Sequence, residues 1–342
     1  MLDTIQNYVI SILPAKRKTT PSGWTSFNCP CCIHNNENAD TRGRGGLHVN
    51  PDGSLSYHCF NCHFKASYQP GRHLTFKFRK FLQWLGAPDG EIKRLVIEAI
   101  RIKDLILPED IKVEPDEKIE FTKRFLPTDA RSIIELITFY ELSDWQTDHS
   151  HFNEVILYID NRGIDFTKYN IYLSEDVSHK LNKRVIIPCY WNDEIIGYTA
   201  RAIDDDIKPK YYSHYEPNYV FNTNMQQPDS KFVVVCEGPF DAMSIDGVAV
   251  LGNEVSEQQA DIIDALGREV IVVADADKAG SKMIDAALKY GWNVSFPIWQ
   301  ETCKDVNEAV VKYGKLFVLK SIIDATESNK LKIELKKKFY VG

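Results

Sequence analysis

The sequence predicts a multidomain α+β chain: a small β ribbon built round a metal at the N-terminus, then a larger α/β body. Three observations predict it. Cys29 with Cys32 and Cys59 with Cys62 form two close pairs around a hairpin-like segment; two Cys-x-x-Cys knuckles on opposed turns set four thiolates in a tetrahedron, the geometry of a structural Zn²⁺ site. From Lys231 onward, unbroken apolar runs alternate with helical stretches, the pattern of a parallel sheet buried on both faces. Between the two regions, Leu107 to Lys118 is polar, charged and proline-bearing, the composition of a linker.

The ribbon is expected within residues 1–75. Leu47-His48-Val49 and Leu55-Ser56-Tyr57 flank the turn sequence Asn50-Pro51-Asp52-Gly53, which reads as a hairpin running into the second knuckle. Cys31 is a spare thiol able to replace Cys29 or Cys32, and His34, His58 and His63 are alternative ligands whose other reading is ordinary surface histidine. A disulfide framework is the competing account of the cysteines, but nothing else in the chain looks secreted. Met1-Leu2-Asp3-Thr4 lacks the basic and apolar regions of a signal peptide, Cys189, Cys236 and Cys303 are scattered, and no run of 18 apolar residues occurs. The expectation is a cytoplasmic protein with no membrane partner.

Net charge is −7, unevenly distributed: residues 1–80 carry +6 and the remainder −13. A basic ribbon joined to an acidic body fits phosphate binding by the first and carboxylate chemistry by the second; solvated faces of unequal charge are the plainer alternative. Trp24, Phe27, Tyr57, Phe60, Phe64 and Tyr68 interleave with Arg42, Arg44 and Lys65, a mixture that suits single strands, whose bases stack on rings while cations follow the backbone. Some of these rings are also expected to fill the ribbon's core.

Residues 76–118 form a helical segment and linker, with Phe81, Leu82, Leu85, Ile92, Leu95, Val96 and Ala99 at helical spacing and Pro88 dividing two helices. Residues 119–228 mix helix with strands such as Val185–Pro188 and Ile195–Tyr198. Residues 229–300 carry four expected strands, at Phe232–Cys236, Val248–Leu251, Val270–Val273 and Asn293–Ile298, with helices at Phe240–Ile245, Glu257–Leu266 and Lys282–Tyr290. Residues 301–342 are helical, and the stretch from Lys315, closing with Lys330 to Lys338, is basic and reads either as a docking surface for a partner or DNA or as a solvated helix.

Functional groups of parallel α/β sheets collect beyond the carboxyl ends of the strands. Glu237-Gly238 follows the first such strand, Asp275-Ala276-Asp277 the third, and Asp305 in Lys304-Asp305-Val306-Asn307 the fourth. These carboxylates are expected to converge at one edge, where a few acidic oxygens, water and substrate phosphate complete a Mg²⁺ shell. For any single Asp, a helix N-cap is the structural alternative.

Val235-Cys236-Glu237-Gly238-Pro239-Phe240-Asp241 and Val273-Ala274-Asp275-Ala276-Asp277-Lys278-Ala279-Gly280 resemble the Toprim fold shared by primases, topoisomerases and recombination nucleases. A zinc ribbon upstream resembles the layout of bacterial replicative primases. Arg184-Val185-Ile186-Ile187-Pro188, Ile196-Gly197-Tyr198, Arg201-Ala202 and Pro209-Lys210-Tyr211 look like the basic motifs of the primase polymerase core. The compact length, all-cysteine ribbon and Cys59-Phe60-Asn61-Cys62-His63 knuckle are most similar to T-even-phage-type DNA primases; the resemblance covers residues 24–70 and 150–310. It departs at the ribbon, where bacterial primases usually carry a His, at Pro239, and at Tyr212-Ser213 after Lys210-Tyr211.

The resemblance implies a Toprim-containing primase core that makes short RNA primers on single-stranded DNA by metal-dependent ribonucleotidyl transfer. It implies Zn²⁺ in the ribbon and Mg²⁺ (or Mn²⁺) on Asp275 and Asp277, with Asp305 assisting and Glu237 either ligating metal or taking the attacking proton. Arg184, Arg201, Lys210 and Lys278 are then expected to bind triphosphate or template, Lys278 and Lys304 alternatively pairing with the acids. Ribonucleoside triphosphates, a single-stranded DNA template and a separate hexameric helicase are the implied partners, since no Gly-x-x-x-x-Gly-Lys-Ser/Thr motif is present. The compartment becomes the host cytoplasm if the chain is phage-encoded. Two rivals remain: a type I topoisomerase, for whose nucleophilic-Tyr domain the tail after Asp305 leaves no room, and a non-catalytic zinc/Toprim scaffold for DNA in recombination.

Overall fold

The computed structural model describes residues 4–35, 37–72, 74–105, 119–142, 150–174, 180–227, 230–275, 277, 280–299 and 303–340. The expected linker from Leu107 to Lys118 and the candidate Lys278 lie outside the described residues. Two compact units emerge: Met1–Lys118 with Asp264–Arg268, and Ile119–Ile263 with Glu269–Gly342.

The first unit opens with α1 (Thr4–Ile12) and five antiparallel strands in chain order: β1 (Arg17–Thr19), β2 (Trp24–Phe27), β3 (Gly45–Val49), β4 (Leu55–Cys59) and β5 (Lys65–Tyr68). The β3–β4 hairpin pairs Leu47 with Tyr57, and its turn closes through the Asn50 amide on the Ser54 carbonyl, 2.9 Å. Strand period 2 sends Leu55, Tyr57 and Cys59 inward. Two helices follow, α2 (Phe76–Trp84) and α3 (Asp89–Leu105). The Thr75 hydroxyl caps the first by accepting from the Phe78 amide at 3.2 Å, and just before the second the Pro88 carbonyl accepts the Glu91 (2.9 Å) and Ile92 (3.1 Å) amides. These helices do not stand apart from the ribbon: Phe78, Phe81, Leu82 and Leu95 share one core with Ile5, Val9, Phe27, Leu47, Leu55 and Tyr57.

The second unit holds two five-stranded sheets. The first is built from β6 (Ala130–Ser132), β7 (Tyr172–Ser174), β8 (Arg184–Trp191), β9 (Glu194–Ala202) and β10 (Tyr211–His214), with α4 (Ile133–Leu142), α5 (Ser150–Asn161) and α6 (Phe166–Tyr169) inserted between β6 and β7. Its order is β10-β9-β8-β7-β6, antiparallel throughout. Asn192 and Asp193, both with positive φ (48° and 63°), make the tight turn between β8 and β9, residue types that tolerate the left-handed region.

The second sheet comprises β11 (Phe232–Cys236), β12 (Val248–Ala249), β13 (Glu269–Val272), β14 (Asn293–Ser295) and β15 (Thr326–Glu327), connected by α7 (Pro239–Ile245), α8 (Glu257–Ala265), α9 (Gly280–Tyr290), α10 (Val306–Tyr313) and α11 (Lys315–Asp324). α12 (Lys330–Tyr340) ends the described chain. The order is β12-β11-β13-β14-β15. The first three pairings are parallel, as the apolar runs predicted, whereas β15 pairs antiparallel on β14 because it enters after α11. β14 stops at Ser295, short of the expected Ile298, which is 92% exposed. β11 and β13 are neighbours in register, Val235 beside Val272, so the turns after them open on the same edge. No helix among the described residues is long and apolar enough to cross a membrane.

Candidate functional site

In the first unit the ligand atoms of Cys29, Cys32, Cys59 and Cys62 all lie within 4.8 Å of one another. Two edges of this figure are 3.9 Å (Cys29 to Cys62) and 3.7 Å (Cys32 to Cys59). A tetrahedron with Zn–S bonds of about 2.3 Å has edges near ~3.8 Å, so the thiols fit zinc as they stand. Cys31 is outside the four: it is fully buried, its Sγ 3.8 Å from the Tyr57 hydroxyl. Hydrogen bonding from Cys31, and then from Tyr57, outweighs burial and holds the Cys29 thiol down at about 4. The bond to Cys29, and then burial, push the Cys31 thiol well above the ordinary range. The i+2 amides of Cys31 and Asn61 point at Cys29 Sγ (3.3 Å) and Cys59 Sγ (3.4 Å), and the Asn61 side chain at Cys32 Sγ (3.4 Å).

Asp40 fixes the loop across from these thiols. Its carboxylate accepts from the amides of Cys29 (2.9 Å), Arg42 (3.0 Å) and Arg44 (2.7 Å) and from Arg44 Nε (3.0 Å). Burial alone would raise its pKa, but these donors hold it at about 2. Gly45 is required where β3 passes the first knuckle, since a Cβ there would sit 2.8 Å from the Tyr57 hydroxyl and 3.1 Å from Cys29 Cα. Of the rings read as stacking platforms, Phe27, Tyr57 and Tyr68 are buried core, whereas Phe60 is 71% exposed on the second knuckle beside His58.

In the second unit the acids gather as their strand ends dictate. Glu237 follows β11 directly and its Oε1 accepts the Asp275 amide at 3.3 Å, joining the turns after β11 and β13. Asp277 bonds back through its amide to the Asp275 carbonyl (2.8 Å), while its Oδ1 takes the Gly280 amide (2.9 Å) at the start of α9. Only glycine allows this, because a Cβ at position 280 would stand 2.2 Å from the Asp275 carbonyl. Asp305 caps α10, its Oδ1 accepting from Glu308 N at 2.8 Å. It is both a helix cap and a neighbour of the cluster, its charge felt by Asp275 and Asp241. Tyr340, at the end of α12, donates to the carbonyl of Ala274 at 3.4 Å.

Asp241, one turn into α7 after Glu237, is a member that the motif reading left out. It is buried, accepts the Asn307 amide at 3.0 Å, and is raised to about 7 by burial and then by Asp305 and Asp275. Sequence shows it only as an acid in the first turn of the helix after the strand; its place in the cluster rests on Asn307, 66 residues away. Glu237 is likewise raised to about 7 by burial, with Asp277 and Asp241 adding to it, and Asp275 to about 7 by burial and then Glu237 and Asp305. Repulsion of this kind is what a divalent cation relieves. Among the described residues no three carboxylates close to the spacing of the thiols, so a cation held here would need water or phosphate for part of its shell.

The cations separate into two kinds. Lys210 is close enough to Asp275 and Asp305 for each to feel the other's charge. Arg201 is buried, its guanidinium 4.9 Å over the Tyr211 ring and its Nε without a partner. Arg184 departs from the expectation that it grips phosphate. It is 2% exposed, and its donors go to the carbonyls of Lys180, Ala200, Pro209 and Lys210, so the interior rather than solvent receives them. Arg162 was not foreseen; its guanidinium lies 5.3 Å from the Phe240 ring and donates to Asn307 at 2.9 Å, reaching Asp241 through that residue's amide.

Residues 234–310 match the family described as Toprim-like. The chain is 27% identical over 158 residues to a DNA primase of Clostridium acetobutylicum, an alignment covering 41% of this chain and 26% of that one. It is 23% identical over 332 residues to a DNA primase of Campylobacter jejuni, covering 82% and 48%. The chain thus spans less than half the length of these curated relatives. Among solved structures, the Aquifex aeolicus primase (zinc binding and RNA polymerase domains) aligns with a TM-score of 0.42 at 18% identity, over 93% of this chain and 82% of that one.

Proposed function

We propose that this chain is a DNA primase that joins ribonucleoside triphosphates into short RNA primers on a single-stranded DNA template. The observation that carries the reading is the junction of Glu237 with the Asp275 loop at the shared ends of β11 and β13, ringed by Asp241, Asp277 and Asp305 and faced by Lys210. The Toprim-like match over that segment and the primase relatives support it. The compact all-cysteine ribbon favours the T-even-phage type within that class, working beside a separate hexameric helicase in the cytoplasm.

Asp275 and Asp277, with Asp305, would hold Mg²⁺ (or Mn²⁺). When bound, the ion supplies charge neutralisation at the reacting phosphate and acidifies the attacking 3′-hydroxyl. Asp277 and Asp305 each use one oxygen for a helix cap, leaving the other for the cation. Glu237, poised near about 7, is able to accept a proton at neutral pH as well as to share the metal. Lys210 and Arg201 neutralise triphosphate or template, and Lys278 keeps the same role on sequence grounds. Zinc orders the ribbon, whose exposed Phe60 offers a face for a template base.

Template, four ribonucleotides and Mg²⁺ in one reaction test this. Primers from the native chain and none from Asp275→Asn support it. DNA binding with no incorporation by the native chain would establish the scaffold reading instead.

A further inference from the structure

Arg184 begins β8 opposite Ala202 of β9, and its guanidinium extends past the strand end to the loop that returns as β10. Nη2 donates to the Pro209 carbonyl at 2.7 Å, Nη1 to Lys210 and Ala200 at 3.3 Å each, and Nε to Lys180 at 3.1 Å. The Lys210 carbonyl also accepts the Ala202 amide at 3.0 Å, so one peptide is held from two sides. Four carbonyls from three stretches of chain converge on a side chain that is 2% exposed, with no room for a phosphate. The loop that it grips delivers Lys210 toward Asp275 and Asp305, and Tyr211, whose hydroxyl lies 4.0 Å from where a Cβ on Gly238 would stand.

We infer that Arg184 is a positioning residue: it locks the 203–210 loop by its carbonyls and acts on substrate through Lys210. This deepens the proposed function and rests on its reading of Lys210 as a phosphate contact. The planar fork is essential, since five fixed donors span carbonyls that a lysine's single nitrogen cannot reach together. A buried carbonyl left unpaired is costly, so the loop opens instead.

Two readouts test it on the full chain. Hydrogen exchange of the 203–214 segment in Arg184→Lys is expected to quicken at least tenfold with zinc content unchanged, and this scores the lock whether or not the protein makes primers. In primer synthesis, Arg184→Lys is expected to lower kcat/KM for ribonucleotide at least tenfold, chiefly through KM, and to lower it less than twofold further in a Lys210→Ala background. Unchanged exchange overturns the inference. So does an equal loss in both backgrounds, which would mark Arg184 as general scaffolding. An inactive native chain would sink the primase reading while the exchange result still judged the lock. Should Arg184→Lys prove too unstable to purify, Arg184→Gln, which retains an amide donor, takes its place in both readouts.

Discussion

At Asp275 the proposed function and stability pull in opposite directions. Its ionised form is disfavoured by burial and by Glu237, Asp305 and Asp277, so its folded pKa of about 7 lies above the unfolded value near ~3.9. A carboxyl shifted upward stabilises the fold at low pH and loses that contribution as pH rises through about 7. Asp275→Asn is therefore expected to melt at the same or a higher temperature than the native chain at pH 8 without added magnesium, the difference shrinking by pH 5, while primer synthesis falls at least ~100-fold, about 2.7 kcal/mol of barrier. Calorimetry and a gel assay read the two effects, and a destabilised variant would mean the carboxylate is structural. Asp40 is the opposite case, because its removal strands the buried amide of Cys29 and the partly buried amides of Arg42 and Arg44. Asp40→Ala is expected to cost about 2–4 kcal/mol and to accelerate zinc release in a chelator assay. At this scale the meeting of Glu237 with the Asp275 loop and the gathering of Cys29, Cys32, Cys59 and Cys62 were legible as placements, because strand ends and knuckle spacing fix them. The surroundings of Arg184 were not legible: sequence shows its charge but not the four carbonyls that enclose it. Asp241 and Arg162 depend on the Asn307 amide and side chain, a contact across 66 residues that no local pattern displays.

Among elements, the knuckles show how two adjacent thiols acquire different fates. Cys31→Ser is expected to retain one zinc per chain, whereas Cys29→Ser loses it and with it the antiparallel order of β1 to β5; metal analysis and circular dichroism distinguish them, and zinc loss from Cys31→Ser would reassign the ligand. In the second unit, Asp246 at the end of α7 joins α6 to α11, bonding Lys168 Nζ (2.6 Å), the Tyr169 hydroxyl (2.7 Å) and Lys315. Burial would raise its pKa, but Lys168, Lys315 and Tyr169 hold it at about 2. A depressed carboxylate stabilises above its unfolded value of ~3.9 and loses that contribution as pH falls through about 2. Allowing for its partial exposure and solvent screening, the contribution is about 1 kcal/mol. Asp246→Asn is expected to lower stability at pH 7 but not near pH 1, below both values, as read by denaturant titration. The long helices and buried strands were legible from periodicity. The strands β1 and β15, three and two residues long, were not, because such short pieces carry no period and exist only through their neighbours.

Over the whole molecule, charge is partitioned between a basic N-terminal region and an acidic remainder. Single-stranded DNA binding by the full chain should weaken with salt. Replacing Arg42 and Lys65 together by Ala is expected to reduce the log–log salt slope by about 1.4, two contacts at ~0.7 each; an unchanged slope would remove these cations from the template path. The division into a metal ribbon and an α/β body was legible because composition, cysteine spacing and apolar runs act over tens of residues. That α2 and α3 complete the ribbon's core was not, since helical spacing shows an apolar face without naming what covers it.

The hydroxyl of Tyr340 rests on the Ala274 carbonyl and so ties α12 to the peptide just before Asp275. Cropping the polypeptide before that tyrosine, or fusing a rigid purification handle close to it, would loosen the peptide that aims Asp275 and, on the proposed function, weaken magnesium retention with every acidic side chain intact. Handles for this protein belong on a flexible spacer.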